Sequence, residues 1–175
     1  MKILILAAHP DDEVLGMGGT IKKLSKGGND IKIIFMSTGI LSRRKIESKV
    51  SKQVFTKDWM KKNENKIKSL RGDAKKAGKI LGVNEIEFMD FPDNEMDTVS
   101  TLMVTKSIEN SIKDFNPKVV YTTPQNDPNV DHQKVYASTL VATRPHKNSN
   151  VQEVLSYEIP SSTEWFFPSQ FSPNV

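Results

Sequence analysis

The sequence predicts an α/β protein of three layers, with helices covering both faces of a mostly parallel sheet of about five strands. Three observations carry that expectation. Apolar runs of strand length alternate with longer segments of helical periodicity, and the connections between them are short. The first run, Lys2 to Ala8, is apolar without alternation, as in a strand buried on both faces of a parallel sheet. With 175 residues, 37% of them hydrophobic, the chain suffices for a single domain with a real core over residues 1–175.

Each element follows from its residues. After the first strand, Glu13 to Lys26 places Val14, Leu15, Met17, Ile21 and Leu24 at helical spacing and stops at Gly27-Gly28. Asp30 to Thr38, rich in Ile with Phe35 and Met36, is the second strand. Residues 42–58 are polar and irregular and fit loop or helix. From Trp59 to Leu81 runs a long basic helix with Ile67, Leu70, Ala74, Ala77 and Leu81 on one side, ended by Gly82. Glu85 to Asp90 is the third strand, closed by the turn Phe91-Pro-Asp-Asn94. Val99 to Phe115 is helical, Lys118 to Thr123 the fourth strand, Asp131 to Thr143 a short helix and Val151 to Ile159 the fifth strand. The tail from Pro160 is rich in Ser, Pro and aromatics. The arrangement is Rossmann-like, and such sheets bind ligands beyond the carboxyl ends of their strands.

Composition removes several function classes. There is no cysteine, hence no disulfide, thiolate metal site or cysteine nucleophile. The run Ile3 to Ala8 is too short for a signal-peptide core or a bilayer span, so the chain reads as cytoplasmic with no membrane span. Net charge is +4, and residues 41–80 hold 14 of the 25 Lys and Arg against four acids. Those lysines spread around a helix without interleaved aromatics, which reads as a solvated face rather than a nucleic-acid surface. Gly16, Gly18 and Gly19 lack the G-x-G-x-x-G spacing, and acids crowd where a pyrophosphate would sit. No serine stands in G-x-S-x-G.

The chemistry concentrates in Ala8-His9-Pro10-Asp11-Asp12-Glu13, at the carboxyl end of the first strand. Pro10 fixes φ and biases His9 away from helix, holding the segment as a turn. His9 and Asp12, three apart, can face one cation with nitrogen and oxygen. His132, just past the fourth strand in Val130-Asp-His132, reaches the same edge of the sheet. Two histidines and a carboxylate with an open position suit a catalytic zinc, although iron or cobalt accepts similar ligands. The competing reading is a helix cap, in which Asp11 or Asp12 caps the following helix and the acids suit its dipole. That reading leaves the histidines unexplained.

Ala8-His-Pro-Asp-Asp-Glu13 followed by Val-Leu-Gly-Met-Gly-Gly-Thr20 resembles the opening motif of the PIG-L/LmbE family of zinc-dependent de-N-acetylases. The resemblance extends to Arg71, to Asp90-Phe-Pro-Asp93 and to Val130-Asp-His132, and so covers most of the chain. Ser156-Tyr-Glu-Ile-Pro-Ser-Ser-Thr-Glu-Trp165 resembles a bacterial subgroup linked to surface glycans and nucleotide sugars. The family implies one zinc per chain held by His9, Asp12 and His132, with Asp11 as general base. It implies a small N-acetylated sugar or nucleotide-sugar substrate, and acetate as a product. Where many members carry a histidine that stabilises the oxyanion, this chain has Asn129, a neutral donor. Members usually run several tens of residues further, so the C-terminal end is short for the family.

The remaining candidates carry two readings each. Asp131 and Asp127 would orient ligand imidazoles from behind, or serve as a helix cap and a turn residue. Arg71 would clamp a substrate hydroxyl or phosphate, or sit as a surface arginine. Asp93 would meet sugar hydroxyls, or complete its turn. Trp165, with Phe166 and Phe167, would stack on a sugar, or cover a core edge. His146 reads as a solvated loop residue. Against the hydrolase stands a metal- or glycan-binding protein that has lost turnover, and an anion-binding module using residues 41–80. Self-association is left open.

Overall fold

The computed structural model describes residues 1–40, 57–145, 149–165 and 171–175. Five strands, β1 (Lys2–Ala7), β2 (Asp30–Ser37), β3 (Glu85–Phe91), β4 (Val119–Thr122) and β5 (Glu153–Ser156), form one sheet in the order β3-β2-β1-β4-β5. Every neighbouring pair is parallel, as the unalternated apolar runs require. β1 lies between β2 and β4, with Ile3 paired to both Ile31 and Val119. The strand order reverses beside β1, so the turn leaving it opens at the switch point where parallel sheets bind ligands.

The helices α1 (Asp12–Lys26), α2 (Lys57–Lys62), α3 (Glu64–Leu81), α4 (Thr101–Phe115) and α5 (Val130–Ala142) complete the layers. Alternate β1 residues feed two cores. Ile3, Ile5 and Ala7 pack with Met17 and Ile21 of α1 and Ala74 of α3. Leu4, Leu6 and Ala8 pack with Val104, Ile108, Ile112 and Phe115 of α4 and Val135 and Ala142 of α5. Together these clusters make the expected three-layer α/β/α architecture.

Three elements differ from expectation. The long basic helix is broken at Asn63, whose Nδ2 donates to the Trp59 carbonyl at 3.0 Å, the local competition that makes Asn a helix interrupter. β5 stops at Ser156 because its partner β4 ends at Thr122, before Pro124, so that past the Tyr157 amide, which still donates to the Thr122 carbonyl at 3.1 Å, no ladder remains for residues 158–159. α4 starts at Thr101, after a short 3-10 turn over Met96–Thr98. Of the segment 42–58, only Lys57 and Asp58 are described, and they open α2. His146, Phe166 and Phe167 lie outside the described residues. Among the described residues no helix is long and apolar enough to cross a membrane.

Candidate metal centre

The turn after β1 and the start of α5 meet at the switch point. His9 leaves β1 in a turn in which the Asp11 and Asp12 amides both point back to its carbonyl. The Asp12 carboxylate turns back to accept the His9 amide at 2.9 Å. Asp11 occupies the N-cap position of α1 but makes no side-chain cap bond, so the cap reading does not account for it. On the facing loop Asn129 caps α5, its Oδ1 accepting from the Asp131 amide at 2.9 Å, which delivers His132 in the first turn of that helix.

Three atoms then converge. His9 Nδ1 lies 3.2 Å from His132 Nε2 and 3.6 Å from Asp12 Oδ2, and His132 Nε2 lies 3.3 Å from Asp12 Oδ2. Ligands about 2.0–2.1 Å from a tetrahedral centre stand roughly 3.3–3.4 Å apart, so this triangle has the dimensions a small divalent cation needs. Its N₂O composition suits zinc, iron(II) or cobalt(II). Asp12 and His132 are almost fully buried, at 3% and 2% exposure.

Carboxylates stand behind both imidazoles. Asp131 Oδ2 is 3.0 Å and Asp93 Oδ1 3.2 Å from His9 Nε2, and Asp127 Oδ2 is 3.0 Å from His132 Nδ1. Asp131 is itself held by the amides of Asn94 at 2.6 Å and Met96 at 3.0 Å. The charges settle accordingly. Burial opposes the charged imidazoles, but hydrogen bonding to Asp12, Asp131 and Asp93 outweighs it and pushes His9 up to about 12. Asp12 and Asp127 do the same for His132, to about 9. Burial would raise Asp12, yet His132 and His9 hold it below the usual carboxylate range. The two imidazole nitrogens that face each other at 3.2 Å leave room for only one hydrogen between them. Glu13, buried one residue on with Oε2 unpartnered, is pushed up to about 7 by that burial and by its Asp12 and Asp11 neighbours.

A cavity of about 970 Å³ opens over the triangle. Asp11, Asp93, Asn129, His132 and Trp165 all line it. Arg71, expected at the substrate, is not among its lining residues. Its guanidinium pairs with Asp90 at 2.5 Å and lies 5.0 Å over the Phe88 ring. Asp93 lines the cavity at 1% exposure, directed at His9 and accepting from Asn94 Nδ2 at 2.7 Å. Trp165 is 75% exposed at the mouth rather than covering the core.

Two of the lining residues that sequence reasoning missed bear directly on the site. Trp59, on α2, makes both tryptophans of the chain part of this cavity. Asn94 sits at φ 55°, donates to Asp131 and Asp93, and accepts from Asn129 Nδ2 at 3.2 Å. A left-handed non-glycine residue at a site is where strain and function coincide, and the Pro-Asp-Asn turn was the one signal for it.

The family model for GlcNAc-PI de-N-acetylase (PIG-L) matches residues 4–143. The uncharacterized deacetylase YaiS of Escherichia coli (strain K12) is 28% identical over 174 residues, which are 97% of this chain and 80% of YaiS. Diacetylchitobiose deacetylase of Thermococcus kodakarensis is 31% identical over 119 residues, 68% of this chain and 39% of that protein. Among solved structures, GalB, the 4-carboxy-2-hydroxymuconate hydratase of Pseudomonas putida KT2440, superposes with a TM-score of 0.69 at 21% identity, covering 99% of this chain and 70% of its own. That likeness shows the fold alone, and because the fold also carries a hydratase, the reaction has to be argued from the site.

Proposed function

The chain belongs to the GlcNAc-PI de-N-acetylase (PIG-L) family, and from that premise we propose that it is a zinc-dependent deacetylase acting on an N-acetylated sugar or sugar conjugate. The observation that carries the proposal is the triangle of His9 Nδ1, Asp12 Oδ2 and His132 Nε2 at the floor of a cavity that Asp11 also lines. These three side chains would hold one divalent ion, which when bound supplies a lowered water pKa and a polarised amide carbonyl.

The chain's own residues supply the rest. Asp11, which lines the cavity, takes the proton of the attacking water and later returns it to the departing amine. The water oxygen bonds the acetyl carbon, the carbon–nitrogen bond breaks, and acetate and a free amino sugar leave. Asn129 has its Oδ1 committed to the Asp131 amide, so its Nδ2 is the face turned to the cavity and Asn94. There it donates to the acyl oxygen as charge develops on it. Asp131 and Asp127 hold the two imidazoles. Asp93 adds its charge behind His9, and Arg71 braces the end of β3 through Asp90. Trp165 and Trp59 offer apolar ring faces to a sugar or its aglycone at the mouth. A volume near the top of the usual range of roughly 300–1,000 Å³ suits a substrate larger than one sugar ring.

Acetate release from N-acetylglucosamine, its disaccharide and its nucleotide conjugates tests this reading. Activity that is abolished by a chelator, restored by zinc and lost in Asp11→Asn with metal still bound is the expected result. Metal uptake without acetate from any of these substrates would leave a metal- and glycan-binding protein instead.

A further inference from the structure

We infer that Ser162 and Thr163, in the strand-free segment after β5, are positioning residues of the metal centre that act through Asp127 on His132. The inference rests on the reading that His132 holds a metal. It concerns residues beyond 143, where the family model's match ends.

Asp127 is fully buried, and its two oxygens are crowded with donors. The Ser162 hydroxyl donates to Oδ1, which also accepts the Asn129 amide at 2.8 Å. The Thr163 hydroxyl donates to Oδ2 at 2.9 Å, and the same Oδ2 is the atom 3.0 Å from His132 Nδ1. Thr163 Oγ1 in turn accepts the Ile159 amide at 2.9 Å. That acceptance leaves its own hydrogen free to point at the carboxylate and nowhere else. Hydrogen bonds thus run from the backbone at Ile159 through Thr163 to Asp127, whose Oδ2 stands 3.0 Å from the ring whose far nitrogen belongs to the ligand triangle. Because one lone-pair side of Oδ2 is taken by Thr163, the carboxylate has one orientation in which to face His132.

The segment is anchored well enough to carry that load. The Ser162 and Thr163 amides both return to the Ile159 carbonyl, at 2.9 and 2.8 Å. The Tyr157 hydroxyl donates to the Leu6 carbonyl of β1 at 3.0 Å, three residues before His9. Gly16 of α1 permits this approach, since a Cβ there would overlap the Glu158 carbonyl oxygen and the Tyr157 ring. Ser161, Ser162 and Trp165 of the same segment line the cavity. One short turn therefore both meets the substrate space and fixes a metal ligand from behind.

A purely structural staple would hold by shape, and a positioning role holds by the hydroxyl, so isosteric variants separate them. Metal-free full-length protein is titrated with zinc ion alone against a chromophoric chelator, well below each variant's melting temperature. Thr163→Val keeps the volume and removes the hydroxyl, and should weaken zinc about 10-fold. Ser162→Ala with Thr163→Val should weaken it about 100-fold, while Thr163→Ser, which keeps the hydroxyl, should stay within about threefold. Ser162 is only half-buried, so Ser162→Ala alone remains folded and provides a separate reading. Zinc bound equally by the unaltered chain and by Thr163→Val, Ser162→Ala and the double variant overturns the inference alone. No zinc bound by the unaltered chain overturns the metal reading and the inference with it.

Discussion

Replacing Asp131 by Asn is the sharpest perturbation of the centre that leaves every proposed metal ligand in place. Asp131 is completely buried and serves three donors: the Asn94 amide at 2.6 Å, the Met96 amide at 3.0 Å and His9 Nε2 at 3.0 Å. An amide keeps the shape but offers one acceptor oxygen, so at least one buried donor must face an NH₂ group. A lost charge-assisted bond costs about 1.5–3 kcal/mol, and a buried donor left unsatisfied about 1–3 kcal/mol, so Asp131→Asn should destabilise the metal-free protein by about 3–6 kcal/mol. For a chain of this length that lowers the thermal midpoint by about 6–24 °C. Because His9 also loses its orienting partner, zinc affinity should fall about 10- to 100-fold. Calorimetric melts on metal-free protein isolate the first effect from ligand stabilisation, and chelator competition measures the second. A loss under about 1 kcal/mol with unchanged zinc affinity would refute the reasoning that this carboxylate anchors both the turn after β3 and the His9 ring.

Three further outcomes are expected. The Tyr157 phenol is buried, and burial, reinforced by the Asp12, Glu13 and Asp11 charges, pushes it well above its ordinary value of 10. The native state keeps that proton where the unfolded chain releases it, so the contribution is intact below pH 10 and is lost as pH rises beyond. Tyr157→Phe should therefore cost about 0.5–1.5 kcal/mol at pH 8, from the lost bond to Leu6, with a deficit that shrinks above pH 10. Urea melts at the two pH values check this, and a deficit that stays constant contradicts it. Gly39 sits at φ 73°, where a Cβ would overlap Pro10 and press on Leu70. Gly39→Ala should cost at least about 1–3 kcal/mol and displace the His9 turn, weakening zinc in the same chelator assay. Asn94→Gly removes the strain at φ 55° together with the bonds to Asp93 and from Asn129. It should leave the melting temperature within a few degrees, about 1 kcal/mol, while kcat falls about 10-fold, a split that melts and acetate-release kinetics resolve.

The architecture was legible because it is written in local periodicity. Unalternated runs such as Ile3–Ala8 require burial on both faces, and two-faced burial requires helices on each side. The motif after β1 was equally legible, since a histidine and three acids at a strand's carboxyl end have few structural uses. What escaped the sequence was tertiary. Asn94 joins the site through Asp131 and Asn129, 37 and 35 residues away, a distance no local pattern encodes. Arg71 reads equally as a substrate clamp or a surface arginine, and its pairing with Asp90, 19 residues on and outside the cavity lining, is a tertiary contact that its motif position does not encode. Asn63 and the end of β5 show the same limit on a smaller scale. One is decided by a side chain bonding to the preceding turn, the other by how far the neighbouring strand extends.

The central claim is that His9, Asp12 and His132 hold one catalytic divalent ion, and metal content measured across substitutions tests it most directly. Elemental analysis of zinc-reconstituted, desalted protein should find about one zinc per chain in the unaltered form and in Asp11→Asn, and almost none in His132→Ala. Acetate release should accompany the metal only when Asp11 is present. One zinc per chain retained in His132→Ala would contradict the account at its base.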